Sequence, residues 1–257
     1  MRKYCLGFLV LLIIAPGAVH AAGGRDVLSQ VSTIDALMTG IYDGETTLGS
    51  LKEKGDFGLG TFNTLDGEML LLDGEFYRIT AAGTVERPEP GTKTPFAAVT
   101  FFEADRAVPL EKGLDFRRFV VKTDRLLPTP NVFYVIKITG TFEMVRARSV
   151  ARQVRPYRPL DEVVKNQGLF TLSNVEGTIV GFRCPPYVKG VNVPGYHLHF
   201  ITADRKAGGH VLDFKIGKAL LEVDDTSEFN LVLPSDKAFY DADLAPDREQ
   251  AVRAVEK

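Results

Sequence analysis

The stretch GYHLHFITADRKAGGH, residues 195–210, contains an alternating run, then turn-forming residues, and a second alternating run follows it. Alternate side chains of a strand point to the same face, so His197 and His199 share one face. The segment ADRKAGG has the composition of a turn, and HVLDFKI alternates again. We therefore predict an antiparallel hairpin that folds near Asp204 and brings His210 alongside His199.

Histidine is rare in this chain and is concentrated in the predicted hairpin. The sequence has four histidines, and His20 is the one outside it. A histidine pair at i and i+2 on one strand, with a third on the neighbouring strand, is suitable geometry for a three-histidine zinc site. Imidazole also binds copper, iron and nickel, so the ligand type leaves the metal open. Three protein ligands leave a coordination position free, which favours catalysis; the alternative is ordinary hydrogen-bonded strand histidines.

The N-terminus, MRKYCLGFLVLLIIAPGAVHAAGG, has the pattern of a secretory signal peptide. Arg2 and Lys3 precede an apolar run, and small residues follow it up to Ala21. We predict that residues 1–22 are removed and that residues 23–257 are exported, either to the periplasm or into the medium. A membrane anchor is the alternative, but the apolar run is short and is interrupted by proline and glycine.

Cysteine content, net charge and length limit the possible disulfides, binding partners and number of domains. Once Cys5 is removed, Cys184 is the single cysteine, which excludes an intramolecular disulfide. The formal charge of the full chain is −2. Because no basic run is present, we expect no nucleic-acid partner and no stable membrane insertion after cleavage. The mature length, roughly 235 residues, suits one large domain or two small ones. If there are two, we expect them to meet near residues 140–170.

Short β runs separated by turn residues dominate the rest of the chain. Asp66-Gly67 and Asp73-Gly74 lie between apolar runs and predict hairpins. Runs rich in β-branched and aromatic residues at 131–150 and 169–185 predict long strands. Helices are predicted in three short segments: 32–44, 158–167 and 245–257. The predicted class is α+β, a β-rich mixed sheet or barrel-like architecture with a few short helices and the metal site on a β-hairpin.

Two longer motifs resemble a known family. The segments GVNVPGYHLHFITADRKAGGHVLDF, residues 190–214, and GLGTFNTLDGEMLLLDGEFY, residues 58–77, closely resemble acetolactate decarboxylases. The similarity runs from the first predicted helix to the C-terminus. It implies a zinc-dependent homodimeric enzyme that converts 2-acetolactate to acetoin and CO₂, with the metal polarising the ketone and hydroxyl oxygens of the substrate.

The resemblance also implies a set of site residues. Its three metal-binding histidines fall on His197, His199 and His210. Its catalytic residues fall on Glu68 in LDGE, Arg148 in MVRARS and Glu256 in AVEK. On pattern alone these last three are ordinary exposed residues: Glu68 follows a turn, Arg148 shares a strand with Arg146, and Glu256 is next to the chain end.

Two other functions are compatible with a three-histidine metal site. A zinc hydratase of the carbonic-anhydrase type would use the metal to generate hydroxide. An exported zinc-binding module would hold the ion without turnover. Neither function needs Arg148 or Glu68, so substitution of these residues separates both alternatives from a decarboxylase.

Overall fold

Strands dominate residues 26–256, the part of the chain that the structure, a computed structural model, describes. The predicted signal peptide, residues 1–22, lies outside this range. In chain order the elements are β1 (Val27–Val31), α1 (Ile34–Met38), β2 (Thr46–Thr47), α2 (Leu48–Lys52), β3 (Phe57–Thr61), β4 (Glu68–Leu72), β5 (Glu75–Ile79), β6 (Val85–Glu86), β7 (Lys93–Thr94), β8 (Ala97–Thr100), β9 (Arg106–Leu110), α3 (Phe116–Asp124), β10 (Phe133–Ser149), α4 (Leu160–Val163), β11 (Gly168–Cys184), β12 (Gly195–Thr202), β13 (Gly208–Thr226), β14 (Glu228–Val232), α5 (Lys237–Tyr240) and α6 (Glu249–Val255). The predicted β-rich α+β class is confirmed.

The first sheet has seven strands in the order β14-β1-β8-β3-β4-β5-β6. Its pairs are antiparallel except β1 with β14. Asp73 and Gly74 join β4 to β5 with φ angles of 53° and 75°. A two-residue hairpin turn of this kind needs left-handed backbone at both central residues, which Asp-Gly adopts readily. The hairpin predicted there is confirmed.

The second sheet has the order β10-β11-β12-β13-β9. Strand β10 also pairs with β13, which closes the hydrogen-bonded ladder on itself. The long strands β10 and β11 pair from Tyr134 opposite Arg183 to Ser149 opposite Gly168. This closure confirms the predicted barrel-like architecture.

The two faces of the second sheet pack against different parts of the molecule. Leu198 and Phe200 of β12 belong to a core that includes Phe119 of α3. The other face packs against the first sheet. Because side chains alternate along a strand, His197 and His199 lie on the face towards the first sheet.

A bulge in β10 determines which way Arg148 points. The pairing of β10 with β13 is irregular between Phe142 and Met144. Core residues on the α3 side are even-numbered up to Phe142 and odd-numbered after it, at Val145 and Ala147. A β-bulge shifts the alternation of the residues that follow it. Arg148 therefore lies on the face that meets the first sheet.

The helices are short, as predicted. Helix α1 begins after Thr33, whose hydroxyl oxygen accepts a hydrogen bond from the amide of Ala36 at 3.2 Å. Helices α4 and α6 fall inside the other two predicted helical segments. Sequence patterning does not predict α3, because this helix fully buries only Phe119 and Thr123.

Residues 140–170 contain the end of β10, helix α4 and the start of β11. The idea that two subdomains meet in this segment stays a prediction. Within residues 26–256, none of the helices combines the length and the apolar character that a membrane crossing requires.

Candidate metal centre

Three imidazoles meet where β12 pairs with β13. His199 lies directly opposite His210 in the antiparallel register, and His197 precedes His199 by two residues. The ring centroids are 5.0 to 5.3 Å apart. One ligand nitrogen from each ring lies within 4.8 Å of the other two. The predicted hairpin and the convergence of its histidines are confirmed.

Each imidazole has one buried nitrogen without a hydrogen-bond partner. These atoms are Nδ1 of His197, Nε2 of His199 and Nδ1 of His210. The Nδ1 atom of His199 lies 2.7 Å from the carbonyl oxygen of Met69 on β4. Nδ1 therefore carries the proton and donates it, which leaves the Nε2 lone pair free for a metal. Buried polar atoms without partners are uncommon in folded proteins, and a metal ion at the three rings would satisfy Nε2 of His199.

The three histidines are neutral at physiological pH. Burial, with a smaller contribution from the nearby cationic Arg148, lowers the pKa of His197 to about 3. Burial is also the main reason that the pKa values of His199 and His210 lie well below the ordinary value. Neutral imidazole is the form that binds metal ions. The residues present therefore fit a metal ion in number, burial and protonation state.

Glu68 and Arg148 reach the histidines from different sheets. Arg148 Nη1 donates to Glu68 Oε1 at 2.8 Å, and Glu68 Oε2 lies 3.6 Å from His199 Nε2. The side chains of Arg148 and Glu68 are 5% and 7% exposed, whereas Arg146 on the same strand is exposed. The pattern-based expectation that Glu68 and Arg148 are surface residues is wrong, because each is covered by the opposite sheet.

Glu256 reaches the site from the end of α6. Its amide donates to the carbonyl of Val252 at 3.0 Å, and Val252 and Val255 are both buried. Glu256 Oε2 lies 3.7 Å from His197 Nε2 and 3.6 Å from His210 Nε2, and it has no hydrogen-bond partner. The expectation of a frayed terminus is therefore wrong at Glu256, since packing of the helix holds it in place.

The two glutamates have unusual acidities for the same reason. Burial raises the pKa of Glu68 to about 7, against the opposing effect of the Arg148 guanidinium. Burial raises the pKa of Glu256 to about 7 in the same way. A carboxyl group with a pKa near the working pH is suited to give and take protons.

A small cavity, here called the inner cavity, adjoins these groups. Its remaining lining is mostly apolar, and its walls come from segments far apart in the chain. These residues are Ile34, Leu37, Gly60, Thr61, Leu65, Phe96, Val150 and Leu160. Sequence reasoning missed them, because nothing in the local pattern distinguishes an apolar cavity wall from an ordinary core.

Comparison with known proteins identifies the family of the chain that carries this site. The family model described as alpha-acetolactate decarboxylase matches residues 28–246. The chain belongs to the alpha-acetolactate decarboxylase family. The decarboxylase of that name from Methanosarcina mazei is 50% identical over 232 residues, covering 90% of this chain and 81% of that protein. The one from Methylococcus capsulatus is 46% identical over 238 residues and 92% of each chain.

A solved structure agrees with the assignment. The crystal structure of alpha-acetolactate decarboxylase from Bacillus subtilis strain 168 has a TM-score of 0.88 and 41% identity, covering 90% of this chain and 99% of that one. Membership in this decarboxylase family confirms the resemblance and the enzyme class that the sequence predicted. It gives no support to the two alternatives, a zinc hydratase and a zinc-binding module.

Proposed function

We propose that the protein is a zinc-dependent enzyme that converts 2-acetolactate to acetoin and CO₂. The observation that carries the proposal is the group of three neutral, buried imidazoles beside a buried arginine–glutamate pair. The substrate is a β-keto acid with a tertiary hydroxyl group. When CO₂ leaves, negative charge develops on the ketone oxygen. The site must stabilise that charge and then protonate one carbon.

The metal would be held by His197, His199 and His210, each through one ring nitrogen. Glu256 offers a carboxylate oxygen beside them. Zinc bound there would act as a Lewis acid on the adjacent ketone and hydroxyl oxygens of the substrate. Three imidazoles and a free coordination position are typical of catalytic zinc. Other metals also bind imidazole, so zinc itself is part of the proposal.

Arg148 binds a negatively charged oxygen of the substrate. Its guanidinium stays charged at all relevant pH values and presents several donors in one plane. Nη1 is used by Glu68, but Nε is buried without a partner. That free donor suits the substrate carboxylate, or the oxygen on which charge accumulates. Because arginine gives up its proton so reluctantly, its contribution is electrostatic.

Glu68 supplies and receives the proton. The carboxyl lies between Arg148 and His199, and burial keeps a large fraction protonated near neutral pH. It therefore can protonate the carbon left behind by CO₂. The Glu256 carboxyl lies near His197 and His210 and is a second buried acid beside the histidines.

The direct test is acetoin and CO₂ release from racemic 2-acetolactate by the purified mature protein. We expect turnover well above the spontaneous rate, its loss on chelation and its recovery with zinc. Failure of a folded, zinc-loaded protein to accelerate the reaction would refute the proposal.

A pair of neighbouring arginines gives a matched control. Arg148→Ala should retain zinc but lower kcat roughly 10²–10³-fold, as loss of one electrostatic contact to a developing oxyanion commonly does. Arg146→Ala, which removes an exposed arginine from the same strand, should leave activity unchanged. Zinc-dependent CO₂ hydration that survives Arg148→Ala would favour the hydratase alternative instead.

We also propose that the mature enzyme is an exported homodimer. The pattern of residues 1–22 supports export, and the family resemblance supports the dimer. N-terminal sequencing of protein from the periplasm and the medium, with light scattering of the purified enzyme, tests both. An uncleaved cytoplasmic chain would refute export, and a monomer at micromolar concentration would refute the dimer.

A further inference from the structure

The candidate metal centre is enclosed by protein. The side chains of its six residues are at most 9% exposed. A substrate must therefore enter from a neighbouring space that is open to solvent. The position of Glu256 indicates where that space lies, because this residue lines two cavities.

The second space, here called the outer cavity, has a volume of about 330 Å³ and shares Glu256 with the inner cavity. It lies between α3, α6 and the segment that leads into β12. Phe116 and Val120 of α3 and Val252 of α6 line its apolar part. A volume of this size accommodates a small organic acid.

The most exposed charged side chains of the outer cavity are cations. Lys189 and Arg253 both bind the carboxylate of Glu249, so two cations share one anion. The side chains of Lys189 and Arg253 are 54% and 65% exposed, which leaves them accessible to a passing ligand. The third cation, Arg183, is buried and paired with Asp124 at 3.3 Å. Lys189 and Arg253 thus exceed the one carboxylate that they bind by a single positive charge, whereas Asp124 offsets Arg183 and the third acid of the lining, Glu256, faces the histidines.

We infer that the outer cavity is the entry vestibule for the anionic substrate, with Lys189 and Arg253 attracting its carboxylate. The inference rests on the proposed function, which places the reaction at the three histidines. The apolar wall suits the methyl groups of a short keto acid, and Glu256 stands between the vestibule and the metal ligands. Lys189 and Arg253 affect how often substrate arrives, and they do not touch the reacting atoms.

The test changes the charge at the vestibule without touching the site. Lys189→Cys introduces a thiol that is labelled with either an ethylammonium or an ethylsulfonate disulfide reagent. The native Cys184 is buried, and burial raises the pKa of its thiol to about 12, so it does not compete for label. Lys52→Cys is the matched control, because Lys52 is 57% exposed, faces Glu75 at 4.0 Å and lines neither cavity.

The kcat/KM values of the Lys189→Cys adducts should follow the charge of the attached label. At low salt, kcat/KM should fall roughly 3–10-fold in the sulfonate adduct, recover in the ethylammonium adduct, and lose this dependence at high salt. The kcat value should stay constant, and the Lys52→Cys adducts should behave like wild type. A loss of packing at Lys189 alone would not follow the sign of the label.

The rate of zinc removal is a second measurement, and it does not depend on turnover of substrate. The rate at which an anionic chelator removes zinc from the same adducts should follow the same charge order. Equal rates for the two Lys189→Cys adducts, in turnover or in zinc removal, would overturn the inference. If the wild type shows no turnover, the proposed function fails, and the zinc-removal rates alone decide whether the outer cavity is the route.

Discussion

Replacement of Glu68 by glutamine should stabilise the metal-free protein while removing its activity. Burial raises the pKa of Glu68 to about 7 from an ordinary 4.5, even though Arg148 donates to it at 2.8 Å. That difference corresponds to about 3 kcal/mol of cost for the ionised form in the folded state. Glutamine is neutral and keeps an oxygen that accepts from Arg148, so the variant avoids this cost.

The sign of the pH dependence follows from the raised pKa. Between pH 4.5 and 7 the folded state binds more protons at Glu68 than the unfolded state does. The free energy of unfolding of the wild type therefore falls as pH rises through this window. From pH 5 to pH 8, the stability of Glu68→Gln relative to wild type should rise by about 2–3 kcal/mol. For a chain of this size, each kcal/mol corresponds to roughly 2–4 °C in Tm.

Thermal unfolding of metal-free wild type and variant at the two pH values measures this difference. Glu75→Gln is the control, because that side chain is 49% exposed on the adjacent strand β5. Zinc-loaded Glu68→Gln should retain its metal and lose roughly 10²–10⁴-fold in kcat, as loss of a general acid does. Parallel pH profiles of stability for variant and wild type would show that Glu68 does not titrate in this window, and an active variant would show that Glu68 is not the proton donor.

Three further predictions address the metal, the packing and a second buried acid. His199→Ala should abolish zinc retention and activity together, measured by metal analysis after dialysis; a fully active metal-free variant would contradict the metal mechanism. Gly209→Ala places a Cβ 2.6 Å from the carbonyl oxygen of Arg148, so β10 and β13 must move apart; a urea titration should show a loss of roughly 1–3 kcal/mol, and an unchanged midpoint would contradict the packing argument. Asp224→Asn should stabilise the protein increasingly between pH 4 and 8, because burial raises the pKa of Asp224 to about 7 and asparagine still accepts from the amide of Glu103; equal shifts in Tm at pH 5 and pH 8 would show that Asp224 does not titrate there.

The histidine hairpin is the part of the site that local sequence predicts best. A strand repeats every two residues, so the spacing of His197 and His199 places both on one face wherever the strand packs. The turn residues between them and His210 set the register, and the structure pairs His199 with His210. The shared face and the strand register are short-range relations, and they do not depend on what packs around the hairpin.

The three charged residues illustrate the limit of pattern reasoning. Glu68 and Arg148 are 80 residues apart, and their contact depends on how the two sheets face each other. Arg148 points towards the first sheet because of the bulge after Phe142. A bulge of this kind leaves no clear signal in composition or alternation. In the sequence, only the resemblance to the decarboxylases points to Glu68, Arg148 and Glu256.

Local sequence is enough to predict the strand-rich class, the hairpins and the shared face of the histidines, because these follow from side-chain alternation and turn chemistry over a few residues. The burial of Glu68, Arg148 and Glu256, the neutral state of the imidazoles and the position of the two cavities all depend on the tertiary structure. Desolvation depends on which residues cover a group, and here those residues come from distant segments of the chain. The protonation states of the site residues therefore depend on how two sheets and the C-terminal helix pack around the hairpin, whereas the hairpin itself is predicted from local sequence.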